Sequence, residues 1–104
     1  MQRKTLIHEI TKSVRKIEPG SQIILYGSRS RGDARPESDW DLLILVDGPI
    51  DDARIDRIRH CLYEIEWKSG HVLTSIVRSR GEWNSERYQN MPFYQQVQRD
   101  GVML

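Results

Sequence analysis

One cysteine, Cys61, stands in the whole chain, so no internal disulfide can form and no cysteine-based zinc set is available. That fits a reducing compartment, and Cys61, beside Leu62 in a helical pattern, is expected to be an inert or half-buried thiol. Also missing is any apolar run near the roughly 18–20 residues of a membrane span, and the N-terminus carries no signal-type apolar core. Together these predict a cytoplasmic protein with no membrane association. Nor is there a strong excess of basic charge. The formal net charge is +1 and the pI near 7.9, whereas a nucleic-acid track usually raises the pI above about 9. No repeat, low-complexity tract or linker interrupts the 104 residues, so a single domain over 1–104 is expected. With 38% apolar and 30% charged residues, the chain has the balance of a folded domain rather than a disordered one.

The stretch most informative about chemistry runs from Leu25 to Val46. The apolar run Ile23–Tyr26 stops at Gly27-Ser28. A loop rich in Gly, Arg and Pro follows, and a second apolar run opens with Asp39 and Asp41. Strand, loop, strand is the expected order. Side chains alternate along a strand, so Asp39, Asp41, Leu43 and Leu45 share one face, and Trp40, Leu42, Ile44 and Val46 the other. Two positions along a strand span roughly 6.6–7 Å, which lets both carboxylates reach cations about 3.5–4 Å apart. Alone they would repel; magnesium favours both in ionised form. Gly27 lets backbone amides approach an anion, Ser28 adds a hydroxyl, and Arg29, Arg31 and Arg35 add charge whose planar fork suits phosphate.

Gly27-Ser28, ten residues ending in Ser38, and then Asp39-Trp40-Asp41 resembles the signature of the polymerase-beta-like nucleotidyltransferase superfamily. The length, with the closing Met91-Pro92-Phe93-Tyr94 and Arg99-Asp100-Gly101-Val102, is similar to the minimal nucleotidyltransferases of bacteria and archaea. The resemblance implies transfer of a nucleoside monophosphate, AMP in the first instance, from a triphosphate such as ATP to a hydroxyl. It assigns Asp39 and Asp41 as catalytic ligands of Mg2+, and Gly27, Ser28, Arg29, Arg31 and Ser38 to the nucleotide. It also implies a small helical HEPN-type partner protein, paired with this chain as toxin and antitoxin. One position departs from the pattern. Active members carry a third carboxylate on the next strand, read here as Val72–Val77, where Thr74 or Ser75 offers only a hydroxyl. Two other readings therefore stand beside the enzyme: a non-catalytic antitoxin or nucleotide-binding regulatory module, and a transferase acting on a small molecule or nucleic acid.

The remaining elements follow from spacing. Leu6, Ile7, Ile10, Val14 and Ile17 predict a helix over Thr5–Ile17, stopped by Pro19-Gly20, with His8 beside its apolar stripe and partly buried. Asp51 or Asp52 caps a second helix that buries Ile55, Ile58, Leu62 and Ile65 and ends before Gly70. Trp83 and Tyr88 anchor a polar connection, Pro92 opens a last helix, and Val102–Leu104 reads as a short strand or interface. The expected fold is α/β (α+β): a small mixed sheet, its first two strands antiparallel, helices on one face, and the face of Asp39 and Asp41 open.

Overall fold

In the computed structural model, which describes residues 1–104, apolar periodicity and strand alternation account for nearly every element. Helix α1 (Arg3–Ile17) buries Leu6, Ile10 and Val14, and Arg15 and Lys16 in its last turn complement the helix dipole. His8 lies two positions from both Leu6 and Ile10, so a 3.6-residue period turns it outward; it is exposed, not partly buried as expected. Strands β1 (Gln22–Tyr26) and β2 (Trp40–Val46) pair antiparallel, with Tyr26 opposite Asp41.

Helix α3 (Asp52–Ser69) begins where the Asp51 carboxylate accepts the Arg54 amide at 2.8 Å, and ends at Gly70 in the left-handed conformation. It crosses over to β3 (Leu73–Ser79), which lies parallel to β2. Three short helices follow: α4 (Arg80–Trp83), α5 (Glu86–Gln89) and α6 (Pro92–Asp100). Strand β4 (Val102–Met103) then pairs antiparallel with β1 and completes a sheet of order β3-β2-β1-β4.

Each face of β2 meets a different layer. Trp40, Leu42, Ile44 and Val46 join Leu6, Ile10, Val14, Ile58, Leu62 and Ile65 in the main core under α1 and α3. Leu43 and Leu45 point the other way, onto Trp83 and Val97, with Tyr88, Phe93 and Tyr94 around them. The long helices thus lie on one face as expected, and α4–α6 add a smaller layer on the other. Two fully apolar strand positions there need cover, and Trp83 supplies it, its ring centroid 4.8 Å from that of Tyr94 with the planes tilted by 42°. Only the end of that face carrying Asp41 stays open. No helix is long and apolar enough to cross a membrane.

Candidate functional site

The site begins at a glycine. Gly27 has φ 75° and ψ −157°, a region closed to side chains, and a Cβ built there would collide with Oδ2 of Asp41. Its carbonyl accepts from the Ser30 and Arg31 amides, both at 3.1 Å, and from the Ser30 hydroxyl at 2.8 Å. Three donors on one oxygen wind Ser28–Arg31 into a single helical turn, α2, where a plain loop was expected. The Ser28 hydroxyl makes no hydrogen bond within the chain, and the first amides of such a turn have no intrahelical acceptor.

Asp41 is half-buried between this elbow and β3. In the parallel register it faces Thr74, whose hydroxyl donates to Oδ1 at 2.7 Å. Ser75 alternates to the helical side, so of the two hydroxyls Thr74 is the one that faces Asp41. No group of three His, Cys, Asp or Glu side chains is poised to hold a metal. Glu66 does not supply one: its carboxylate accepts the Leu73 amide at 2.8 Å from the end of α3. Asp39 precedes β2, is exposed, and makes no hydrogen bond or ion pair within the chain.

Tyr26 also belongs to this face, although motif reasoning passes over it. Directly opposite Asp41 in the antiparallel ladder, it packs edge-on against Phe93, ring centroids 5.3 Å apart. Burial, and secondarily the Asp41 charge, raise its phenol pKa, so it remains a neutral donor across the ordinary range. Strand alternation applied across the hairpin, from Asp41 to its partner, would have found it.

The arginines divide. Arg29 turns back onto the connection before β2: Nε and Nη2 donate to the Ser38 carbonyl at 3.3 and 2.9 Å, and Nη2 to the Pro36 carbonyl at 3.1 Å. Its guanidinium lies 4.7 Å from the centre of the Trp40 ring. Arg31 is exposed and pairs with Asp33 at 3.3 Å. The Ser38 hydroxyl accepts the Arg35 amide at 2.9 Å. Arg78 donates to the Tyr88 hydroxyl, and Arg80 bonds the Gly20 carbonyl and pairs with Asp47, all remote from Asp41. Gly27, Ser28, Asp41 and Thr74 are therefore brought together, while Arg29 and Ser38 are engaged in holding the connection. Cys61 is half-buried, its pKa raised chiefly by desolvation, which suits an inert thiol.

The sequence matches the nucleotidyltransferase domain family over residues 7–91. The chain belongs to this family. Solved structures share the nucleotidyltransferase fold. A toxin–antitoxin crystallised with AMP-PNP superposes with TM-score 0.66 at 20% identity, covering 92% of this chain and 69% of that one. A mutant of the toxin–antitoxin MntA–HpeT carrying two aspartate-to-glutamate changes gives 0.65 at 18%, with the same coverage. At such identities the likeness establishes the polymerase-beta-like fold. Among curated proteins none matches the chain significantly.

Proposed function

We propose that this chain transfers a nucleoside monophosphate, AMP in the first instance, from a triphosphate to a hydroxyl on a partner protein. The acceptor hydroxyl gives up its proton, which passes to solvent, and its oxygen forms a bond to the α-phosphorus as the bond to the departing pyrophosphate breaks. The observation that carries the reading is the packing of the Gly27-Ser28 elbow directly onto the Asp41 carboxylate, the two groups that this chemistry would need side by side. The donor set fits magnesium. Asp39 and Asp41 are hard oxygen ligands, and a site of one or two carboxylates completed by phosphates and water is the usual magnesium arrangement. When bound, the metal neutralises triphosphate charge and activates the attacking hydroxyl.

The chain's own residues do the rest. Gly27 removes the bulk that would bar the phosphates, and Ser28 presents a free hydroxyl to them. Thr74 fixes the Asp41 carboxylate through Oδ1, and Asp41 with Asp39 would hold the metal. Two neighbours of the same fold are toxin–antitoxin structures, one solved with AMP-PNP, which supports a nucleotide and a protein partner; that the partner is a small helical HEPN-type protein and the setting the cytoplasm follows from the family resemblance of the motif alone.

A second reading, a non-catalytic antitoxin or regulatory module that binds nucleotide, is favoured by one observation: Thr74, not an acid, lies beside Asp41. Incubation with α-labelled triphosphates, Mg2+ and the adjacent gene's product separates the two. Label lost in the Asp39→Asn/Asp41→Asn variant supports transfer. Magnesium-dependent nucleotide binding without label would put the binding module in its place.

A further inference from the structure

Asp39 and Asp41 are held in opposite ways. Asp41 lies within β2, gripped by Thr74 and Gly27. Asp39 lies before the strand, exposed, with no bond of its own. Its two chain neighbours are nonetheless fixed, and by the same side chain. Arg29 forks onto the Ser38 carbonyl with Nε and Nη2, takes the Pro36 carbonyl with Nη2, and lays its guanidinium on the Trp40 ring. Trp40 in turn is anchored in the main core at 2% exposure, and Arg3, reaching from α1, lies 5.1 Å from its ring centre while donating to the Arg29 carbonyl at 3.4 Å.

We infer that Arg29 is a positioning residue that holds Asp39 by gripping the residues on either side of it. The superfamily resemblance would make Arg29 a nucleotide contact, but two of its three nitrogens are committed to loop carbonyls and its plane to an indole. A planar fork is needed for that combination. A lysine ammonium carries the same charge yet cannot span two carbonyls and stack at once. The position of Asp39 relative to the fixed Asp41 is thus set by Arg29, and with it the geometry of any cation the two share. That last step rests on the proposed metal role of the aspartates; the ordering of Asp39 does not.

The test measures both. In Arg29→Lys and Arg29→Gln, 15N relaxation gives order parameters over residues 36–42, thermal melting reports folding, and electron paramagnetic resonance gives the affinity for Mn2+ alone. Both variants are expected to fold, with the Asp39 order parameter falling below about 0.6 while Asp41 stays near 0.85. Mn2+ affinity falls about 10- to 100-fold in each. In the unaltered protein, the Arg29 Nε–H should exchange slowly with solvent, a measurement that needs no variant. Free exchange of that proton, or an Asp39 order parameter unchanged in both variants, overturns the proposal. So does a loss confined to ATP affinity with Mn2+ binding intact, which would make Arg29 a phosphate ligand. Absence of Mn2+ binding in the unaltered protein would defeat the metal reading, and the order parameters would still decide the role of Arg29.

Discussion

Replacing Gly27 by alanine probes the closest approach in the site. Two costs add. The backbone at φ 75° and ψ −157° lies in a region that side chains avoid, a penalty of about 1–3 kcal/mol. The new methyl also displaces Oδ2 of Asp41, and a carboxylate that swings away gives up its bond from Thr74, worth about 1.5 kcal/mol at the low end for a half-exposed charged acceptor. The expected loss is about 2.5–4.5 kcal/mol, a large share of the roughly 5–15 kcal/mol that holds a domain together. Gly32→Ala is the control. Its φ of 86° and ψ of 8° are left-handed, but no atom lies within 4 Å of its added Cβ, so about 1–2 kcal/mol is expected. Urea unfolding of both variants, without metal and in native and Asp41→Ala backgrounds, separates the terms. In the Asp41→Ala background the Gly27→Ala penalty should shrink to its backbone part. Equal penalties in the two backgrounds would refute the contact between Gly27 and the carboxylate.

Arg54→Met removes the partner of Glu18, a pair 2.6 Å apart with side chains only 19% and 13% exposed, and frees the Asp47 and Pro49 carbonyls. Leaving a largely buried carboxylate unpaired should cost about 3 kcal/mol and lower the melting temperature by about 12–20 °C, read by circular dichroism. The same pair sets a pH dependence. The Arg54 hydrogen bonds lower the Glu18 pKa below its ordinary value of 4.5. Its stabilisation is therefore fully present above about pH 4.5 and is lost as pH falls through the folded value; Glu18→Gln should flatten the urea midpoint over that acid range. Thr74→Asp sets a third carboxylate beside Asp41. Like-charge repulsion should lower the melting temperature without metal, and millimolar Mg2+ should restore more of it than in the unaltered protein; an identical Mg2+ shift in both would count against a shared site.

Much of this architecture was legible because burial acts on one residue at a time at a fixed period. The stripe Leu6, Ile10 and Val14 gave α1, and the β2 alternation set its two faces correctly. The caps Asp51 and Gly70 placed the ends of α3 to within a residue or two. The motif spacing likewise led to Gly27 and Asp41. What escaped was tertiary. Nothing in the local pattern says that Trp83, in a polar stretch, must cover Leu43 and Leu45, which is why the second face is half closed. Nor does it choose between Thr74 and Ser75, because strand alternation fixes relative faces while the register with β2 depends on where the crossover lands. The role of Arg29 was hidden for a related reason: an arginine in a phosphate-type motif reads as a phosphate ligand until its acceptors are seen.

The contrast between the two aspartates carries a consequence for binding. Asp41 is ordered by the sheet itself, since its neighbours Tyr26 and Thr74 are fixed by ladder register. Asp39 depends on a connection of ten residues from Arg29 to Ser38, whose arginines, serines, single proline and single glycine have little apolar surface to bury. A ligand that needs both carboxylates must therefore meet whatever entropy the connection retains. The Arg29 fork and the Trp40 stack reduce that cost before binding, which is preorganisation supplied from within the chain. By the same reasoning, loosening the connection should weaken metal and nucleotide together, whereas a change at Ser28, which holds nothing else in place, should weaken nucleotide alone.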